Sequence, residues 1–345
     1  DAALTLEIRK VARRVLDGIL ETLRRLGVRF DTFFWETDLI LQGKVAPIVQ
    51  RLAALPETKV EDGAYNIDMA PFGVKGRDTK WFLTKKDGTT LYATRDIAYH
   101  LDKFARCDVA INVLGENHRL EYQQLRVALR LLGARDVEAV FYAYVSLPEG
   151  GMSTRRGRLV TMDELLEEAV ARAHEEVRKR RPELSEARMR EIAETVGIAA
   201  VRYNIVRVQS EKKITFRWED ALNFEGNSAP FVQYAHARAC GILEKAGPFT
   251  PGDPVRLAHP EELKLAKRLS KLPSQIQEAA KGRRPHILAT YVYDVASQFN
   301  QFYRDCPVLQ AEAGLREARL ALVDGARIVL RNAMDCLGLS APREM

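Results

Sequence analysis

Leu4, Ile8, Val11, Val15, Ile19, Leu23 and Leu26 recur every three or four residues and stop at Gly27. That spacing predicts an amphipathic helix at the start of the chain. Between residues 28 and 71 the pattern is mixed and broken by Gly43, Pro47, Pro56 and Gly63. Two β-rich runs, 81–83 and 89–93, flank Asp87-Gly88 and predict a hairpin. Thr94 is then placed to cap a helix running through Ile97, Leu101 and Phe104. Residues 109–114 are short, apolar and rich in branched side chains, as a strand covered on both faces would be. A helix over 121–132 and a second buried strand over 139–147 follow, and strand, helix, strand in this register predicts a parallel βαβ unit.

Beyond about residue 160 no further strand is predicted. Thr161 with Glu164 forms a capping-box pattern opening a helix towards Pro182. Helices are predicted over 185–208, 230–246, 261–272, 285–303 and 314–337, with a proline-rich connection over 247–260. The expected fold class is α/β followed by all-α.

The chain has 345 residues, enough for two or three domains. With 46% hydrophobic and 29% charged residues, composition excludes a disordered chain. No apolar run approaches the roughly 18 residues of a membrane span. A formal charge of +6 permits an anionic partner without requiring one. Cys107, Cys240, Cys306 and Cys336 lie far apart, so neither a zinc cluster nor a disulfide framework is indicated. A reducing cytoplasm is the natural setting.

Four segments carry candidate chemistry. Gly150-Gly151-Met152-Ser153-Thr154-Arg155-Arg156-Gly157 combines permissive backbone, hydroxyls and two guanidinium groups, as a triphosphate requires. A solvated basic loop explains it too. Tyr92 and Asp96 offer a ring face, a hydroxyl and a carboxylate to a guanidinium, whereas the helix dipole alone would explain Asp96. Asn117 and His118 follow the 109–114 strand, where α/β sheets place ligands, although a helix-starting turn would also use them. Tyr234, His236 and Arg238 interleave aromatic and cationic groups, as single-stranded nucleic-acid binders and ordinary amphipathic helices both do.

Taken in order, TLYATRDIAYHLDKF (90–104), the INVLG strand, GGMSTRRGRLVTMDELL, NSAPFVQYAHAR and the FYRDCPVL and EARL segments resemble the arginyl-tRNA synthetase family. The resemblance covers the chain from about Arg29 to its end. It implies the second half of a class I Rossmann-type parallel-sheet domain, helices that contact the tRNA stem, and a DALR-type anticodon-binding helix bundle. The implied divisions are 1–160, 161–225 and 226–345. Tyr92 and Asp96 inherit binding of the arginine side chain, with Asn117 and His118 as further contacts. The MSTRRG loop stands where class I enzymes carry KMSKS, with Gly151 and Thr154 replacing its lysines. Gly151, Met152, Ser153, Thr154, Arg155 and Arg156 are then the ATP contacts, Ser153, Arg155 and Arg156 acting in catalysis. Tyr234, His236, Arg238, Tyr303 and Met345 are the implied tRNA contacts.

The implied reaction is ATP-dependent ligation of arginine to tRNA(Arg), with Mg²⁺ accompanying ATP and no metal ligand assignable. None of the six histidines lies in an HxGH signature, so that half of the nucleotide site is expected upstream of Asp1 or on a separate amino-terminal chain. This chain alone is expected to be inactive. The competing expectation is a non-catalytic tRNA-binding paralogue or subunit.

Overall fold

The computed structural model describes residues 2–76, 79–146, 148 and 160–345, which fall into two compact units: 1–29 with 145–345, and 30–144. The chain opens with α1 (Ala2–Arg25), and Gly27 at φ +71° ends it in the left-handed conformation that favours glycine. The helix is as expected, but its packing face is not. Leu26 is buried beside Leu166 and Ala200, while Ile8, Val11, Val15 and Ile19 are exposed.

The second unit begins with α2 (Glu36–Leu41) and α3 (Ala46–Ala53). Strands β1 (Thr58–Glu61), β2 (Ala64–Asp68) and β3 (Lys80–Phe82) form an antiparallel sheet in the order β1-β2-β3. The Asp87-Gly88 turn exists, but its second strand shrinks to a single bridge between Thr84 and Thr90. Asp87 Oδ1 accepts from the Thr89 amide at 2.9 Å, tightening the turn, and α4 (Tyr92–Phe104) starts at once. Leu91, not Thr94, is the N-cap residue; the buried Thr94 hydroxyl instead donates to the Leu83 carbonyl at 2.7 Å.

Strand β4 (Ile111–Gly115), helix α5 (Arg119–Leu131) and β5 (Glu138–Tyr142) form the expected crossover, with β4 parallel to β5. Coverage on both faces does not hold for β4, because alternate residues Ile111 and Val113 face solvent. Leu39, Ile67, Ile97, Leu125 and Leu129 form this unit's core.

In the first unit, β6 (Val145–Ser146) pairs in parallel with β7 (Ile214–Thr215), a strand beyond residue 160 that the local pattern does not predict. Helix α6 (Met162–Arg180) carries the capping box: the Glu164 amide donates to Thr161 Oγ1 and the Thr161 amide to Glu164 Oε2. Helix α7 (Glu186–Val206) starts at the Ser185 cap, and a short α8 (Trp218–Ala221) precedes α9 (Ala229–Ala246), capped by Ser228. The remaining elements are α10 (Pro260–Leu269), α11 (Leu272–Gly282), α12 (Pro285–Asp305) and α13 (Leu315–Cys336). Phe299 and Phe302 of α12 are fully buried among Val232, Leu265, Val323 and Leu330.

Small residues let α6 and α7 approach closely. A Cβ on Gly197 would lie 2.8 Å from the Ala169 carbonyl and 2.9 Å from Val170 Cα, both backbone atoms that cannot rotate away. Gly197→Ala is therefore expected to lower stability by more than about 1 kcal/mol through overpacking. Thermal unfolding of the variant measures this, and an unchanged midpoint would show that the two helices part freely.

Candidate functional site

Each unit holds one constellation, and they are taken separately. On α4, Tyr92 and Asp96 are one helical turn apart and share a face. Tyr92 is 62% exposed and the Asp96 side chain 45% exposed, so both can meet a ligand. Asp96 is the fifth residue of the helix and lies past the first turn, which removes the dipole as its explanation.

Beneath Asp96 sits His100, buried to 1% exposure. Its Nδ1 lies 2.8 Å from the Asp96 carbonyl oxygen and 3.3 Å from Asp96 Oδ1. Its Nε2 lies 2.9 Å from Asn112 Nδ2 on β4 and 3.1 Å from Lys103 Nζ. Lys103 also donates to Asn112 Oδ1 at 3.1 Å and lies over the Tyr99 ring at 4.5 Å. Burial lowers the Lys103 ammonium from its ordinary range, and the Asp96 charge partly opposes that shift. His100, Lys103 and Asn112 were not legible as site residues; the only signal was the Asp96–His100 spacing of four on a helix.

Asn117 and His118 lie in a 3-10 turn, Glu116–His118, directly after β4, and both are exposed. Asn117 Oδ1 folds back over Gly115, where a Cβ would lie 2.6 Å from it and would turn the amide aside. The Tyr144 hydroxyl donates to that same oxygen at 3.2 Å. Among the described residues no hydrogen bond joins Tyr92 or Asp96 to Asn117 or His118; the link between α4 and β4 runs through His100 and Asn112. The loop residues Gly151, Met152, Ser153, Thr154, Arg155 and Arg156 lie outside the described residues.

The second constellation is a groove of about 860 Å³ in the helical unit, lined by Phe231, Tyr234, Arg238, Asn300, Tyr303 and Met345 among others. Arg238 lies between two rings, 4.7 Å from the Tyr234 centroid and 5.1 Å from that of Tyr303. Its Nη1 donates to Asn300 Oδ1 at 2.5 Å, which fixes the guanidinium plane. Both tyrosines remain over 40% exposed, so their outer faces are open to a flat ligand. Arg181 donates to the Met345 carbonyl and, at 3.2 Å, to Glu344, holding the last residues at the groove.

His236 shares α9 but not the groove surface. It is 2% exposed, and its Nδ1 donates to the Pro342 carbonyl at 2.8 Å, as the Gln233 amide does to Ser340 at 2.9 Å. Its place is under the carboxyl-terminal segment, where almost none of its side chain reaches solvent. Burial pushes its pKa below the ordinary 6.5, and Arg327, Arg331 and Arg343 push it further down. As pH falls through 6.5 the unfolded chain therefore takes a proton before the folded one, so folding stability should decline below that pH. His236→Gln should flatten that decline; equal slopes of melting temperature against pH for both proteins would disprove it.

Comparison with known proteins gives a consistent picture. The model of tRNA synthetases class I (R), catalytic domain, matches residues 4–218, and that of the DALR anticodon binding domain matches residues 232–345. The arginine–tRNA ligase of Methanocella arvoryzae is 49% identical over all of this chain and 61% of its own length. That of Methanocaldococcus jannaschii is 42% identical, again over the whole chain and 60% of its own length. The chain thus spans about 60% of the curated relatives it matches. The Thermus thermophilus arginyl-tRNA synthetase structure superimposes with a TM-score of 0.90 at 31% identity, covering 98% of this chain and 64% of that one. The Plasmodium falciparum enzyme gives 0.83 at 17% identity, covering 100% and 59%, and so shows the fold alone.

Proposed function

The chain belongs to the arginyl-tRNA synthetase family of class I synthetases, and on that premise we propose that the full-length protein ligates arginine to tRNA(Arg) using ATP. The observation that supports this reading is the Tyr92–Asp96 face of α4, where a half-exposed carboxylate lies 3.3 Å from the buried, hydrogen-bonded His100. Asp96 pairs with the arginine guanidinium, Tyr92 covers it, and Asn117 and His118 supply further polar contacts.

In the proposed reaction the arginine carboxylate attacks the α-phosphate of ATP, pyrophosphate leaves, and the arginyl group passes to the tRNA 3′ end. Ser153, Arg155 and Arg156 stabilise the developing phosphate charge, and Gly151, Met152 and Thr154 bring backbone close to the nucleotide. Mg²⁺ is expected to accompany ATP; among the described residues no group of three or more His, Cys, Asp or Glu side chains could hold an ion, and no protein ligand is assigned to it. The groove of Tyr234, Arg238, Tyr303 and Met345 receives tRNA bases, and His236 supports it by fixing the carboxyl-terminal segment. Residues 1–160 serve catalysis, 161–225 the tRNA stem and 226–345 the anticodon. The cytoplasm is the proposed location; among the described residues no helix is long and apolar enough to cross a membrane.

The test is arginine-dependent ATP–pyrophosphate exchange by the full-length protein with tRNA(Arg) present, followed by tRNA charging. Replacing Arg155 and Arg156 together with Ala should slow exchange about tenfold or more, one lost charge-assisted contact being worth roughly that factor. The tRNA dissociation constant should barely change. Tight tRNA binding without exchange in the unmodified protein would instead support the non-catalytic reading.

A further inference from the structure

We infer that His100 is the positioning residue for the Asp96 carboxylate, and that Lys103 and Asn112 orient it. This rests on the proposed arginine pocket and adds the group that sets that pocket's geometry. A carbonyl oxygen can only accept, so the contact to the Asp96 carbonyl at 2.8 Å places the proton on His100 Nδ1. Asp96 Oδ1 lies 3.3 Å from the same nitrogen, a close contact beside the hydrogen bond that the N–H makes to the carbonyl. The other ring nitrogen is then an acceptor, and Asn112 supplies its Nδ2–H at 2.9 Å. Asn112 is held in that orientation because its Oδ1 accepts from Lys103 at 3.1 Å. The donors run from the ammonium, which also lies 3.1 Å from His100 Nε2, through the amide to the imidazole, and end on the Asp96 carbonyl with the carboxylate 3.3 Å away.

The arrangement has a purpose that packing alone does not require. His100 is 1% exposed, and burying an imidazole costs free energy unless both nitrogens are satisfied. An apolar side chain would fill the space between α4 and β4 without that demand. The network instead fixes an imidazole 3.3 Å from one oxygen of a carboxylate whose side chain is 45% exposed to a ligand. A carboxylate free to rotate would lose the fixed fork geometry that bidentate guanidinium binding needs.

The experiment uses the full-length enzyme and measures KM for arginine, KM for ATP and kcat, with thermal unfolding alongside. His100→Gln should raise the arginine KM about tenfold, the range shown by coupled members of one network, with the ATP KM and the melting temperature little changed. Asn112→Ala leaves the imidazole in place and should shift the arginine KM in the same direction, which keeps the test decisive if His100→Gln fails to fold. Equal rises in both KM values would make His100 a packing residue and overturn the inference, as would an unchanged arginine KM in both variants. Asp96→Asn separates the two levels. If it leaves the arginine KM unchanged, the pocket itself is misplaced; if it raises that KM while the His100 and Asn112 variants do not, only the positioning role fails.

Discussion

Asp96→Asn is expected to remove about 2–4 kcal/mol of transition-state stabilisation towards arginine in the full-length enzyme, because a charge-assisted, two-pronged contact becomes a neutral one. The loss should fall on kcat/KM for arginine and spare that for ATP. Asn keeps the shape of the carboxylate and an oxygen for His100 Nδ1, so the fold of α4 should persist. What changes is the charge presented to the guanidinium. Citrulline, a neutral analogue of arginine, provides the control: its inhibition of the exchange reaction should change far less than arginine use. Arginine kinetics that survive the substitution would remove Asp96 from the site.

Signals confined to a few neighbouring residues were legible in the sequence. The Thr161–Glu164 box bounds a real helix because capping needs only three or four consecutive residues. The β4–α5–β5 crossover was legible because each element carries its own local pattern and strand, helix, strand has one usual connection. What depends on distant partners was not. β7 exists only through its pairing with β6, about seventy residues earlier. Thr94 has cap-like chemistry but its hydroxyl finds the Leu83 carbonyl, and the helix begins three residues sooner than a cap at Thr94 implies. The apolar stripe of α1 predicts the helix correctly but not its exposure, because what covers a stripe is not set by neighbouring residues. Of the candidate site residues, Tyr92, Asp96, Tyr234 and Arg238 could be named from residue type and Tyr303 through the family resemblance, whereas His100 and Asn112 could not. Their role comes from α4 lying against β4, a contact that residue type alone does not imply.

The groove yields the second large effect. Arg238→Ala is expected to weaken tRNA(Arg) binding by at least about 2 kcal/mol, the scale of an interfacial anchor residue. Three losses coincide there. A cation leaves the surface that meets phosphate, and the Tyr234 and Tyr303 rings both lose the guanidinium between them. Asn300 loses its partner as well, one turn of α12 before Tyr303. Removing one ring alone, as Tyr234→Ala or Tyr303→Ala, should cost roughly 1–3 kcal/mol, the value of a stacked base. The two ring substitutions should not add, because each leaves Arg238 stacked on a single ring. Arg238→Lys separates charge from geometry. It should restore the salt dependence of binding, since a cation again meets phosphate. It should not restore discrimination between tRNA(Arg) and another tRNA, because an ammonium cannot stack flat between two rings or hold Asn300 in the same plane. Titrations with both tRNAs at low and physiological salt read these quantities together. If the Lys variant discriminates as well as the Arg protein, the groove supplies charge alone and the reading of bases lies elsewhere in the chain.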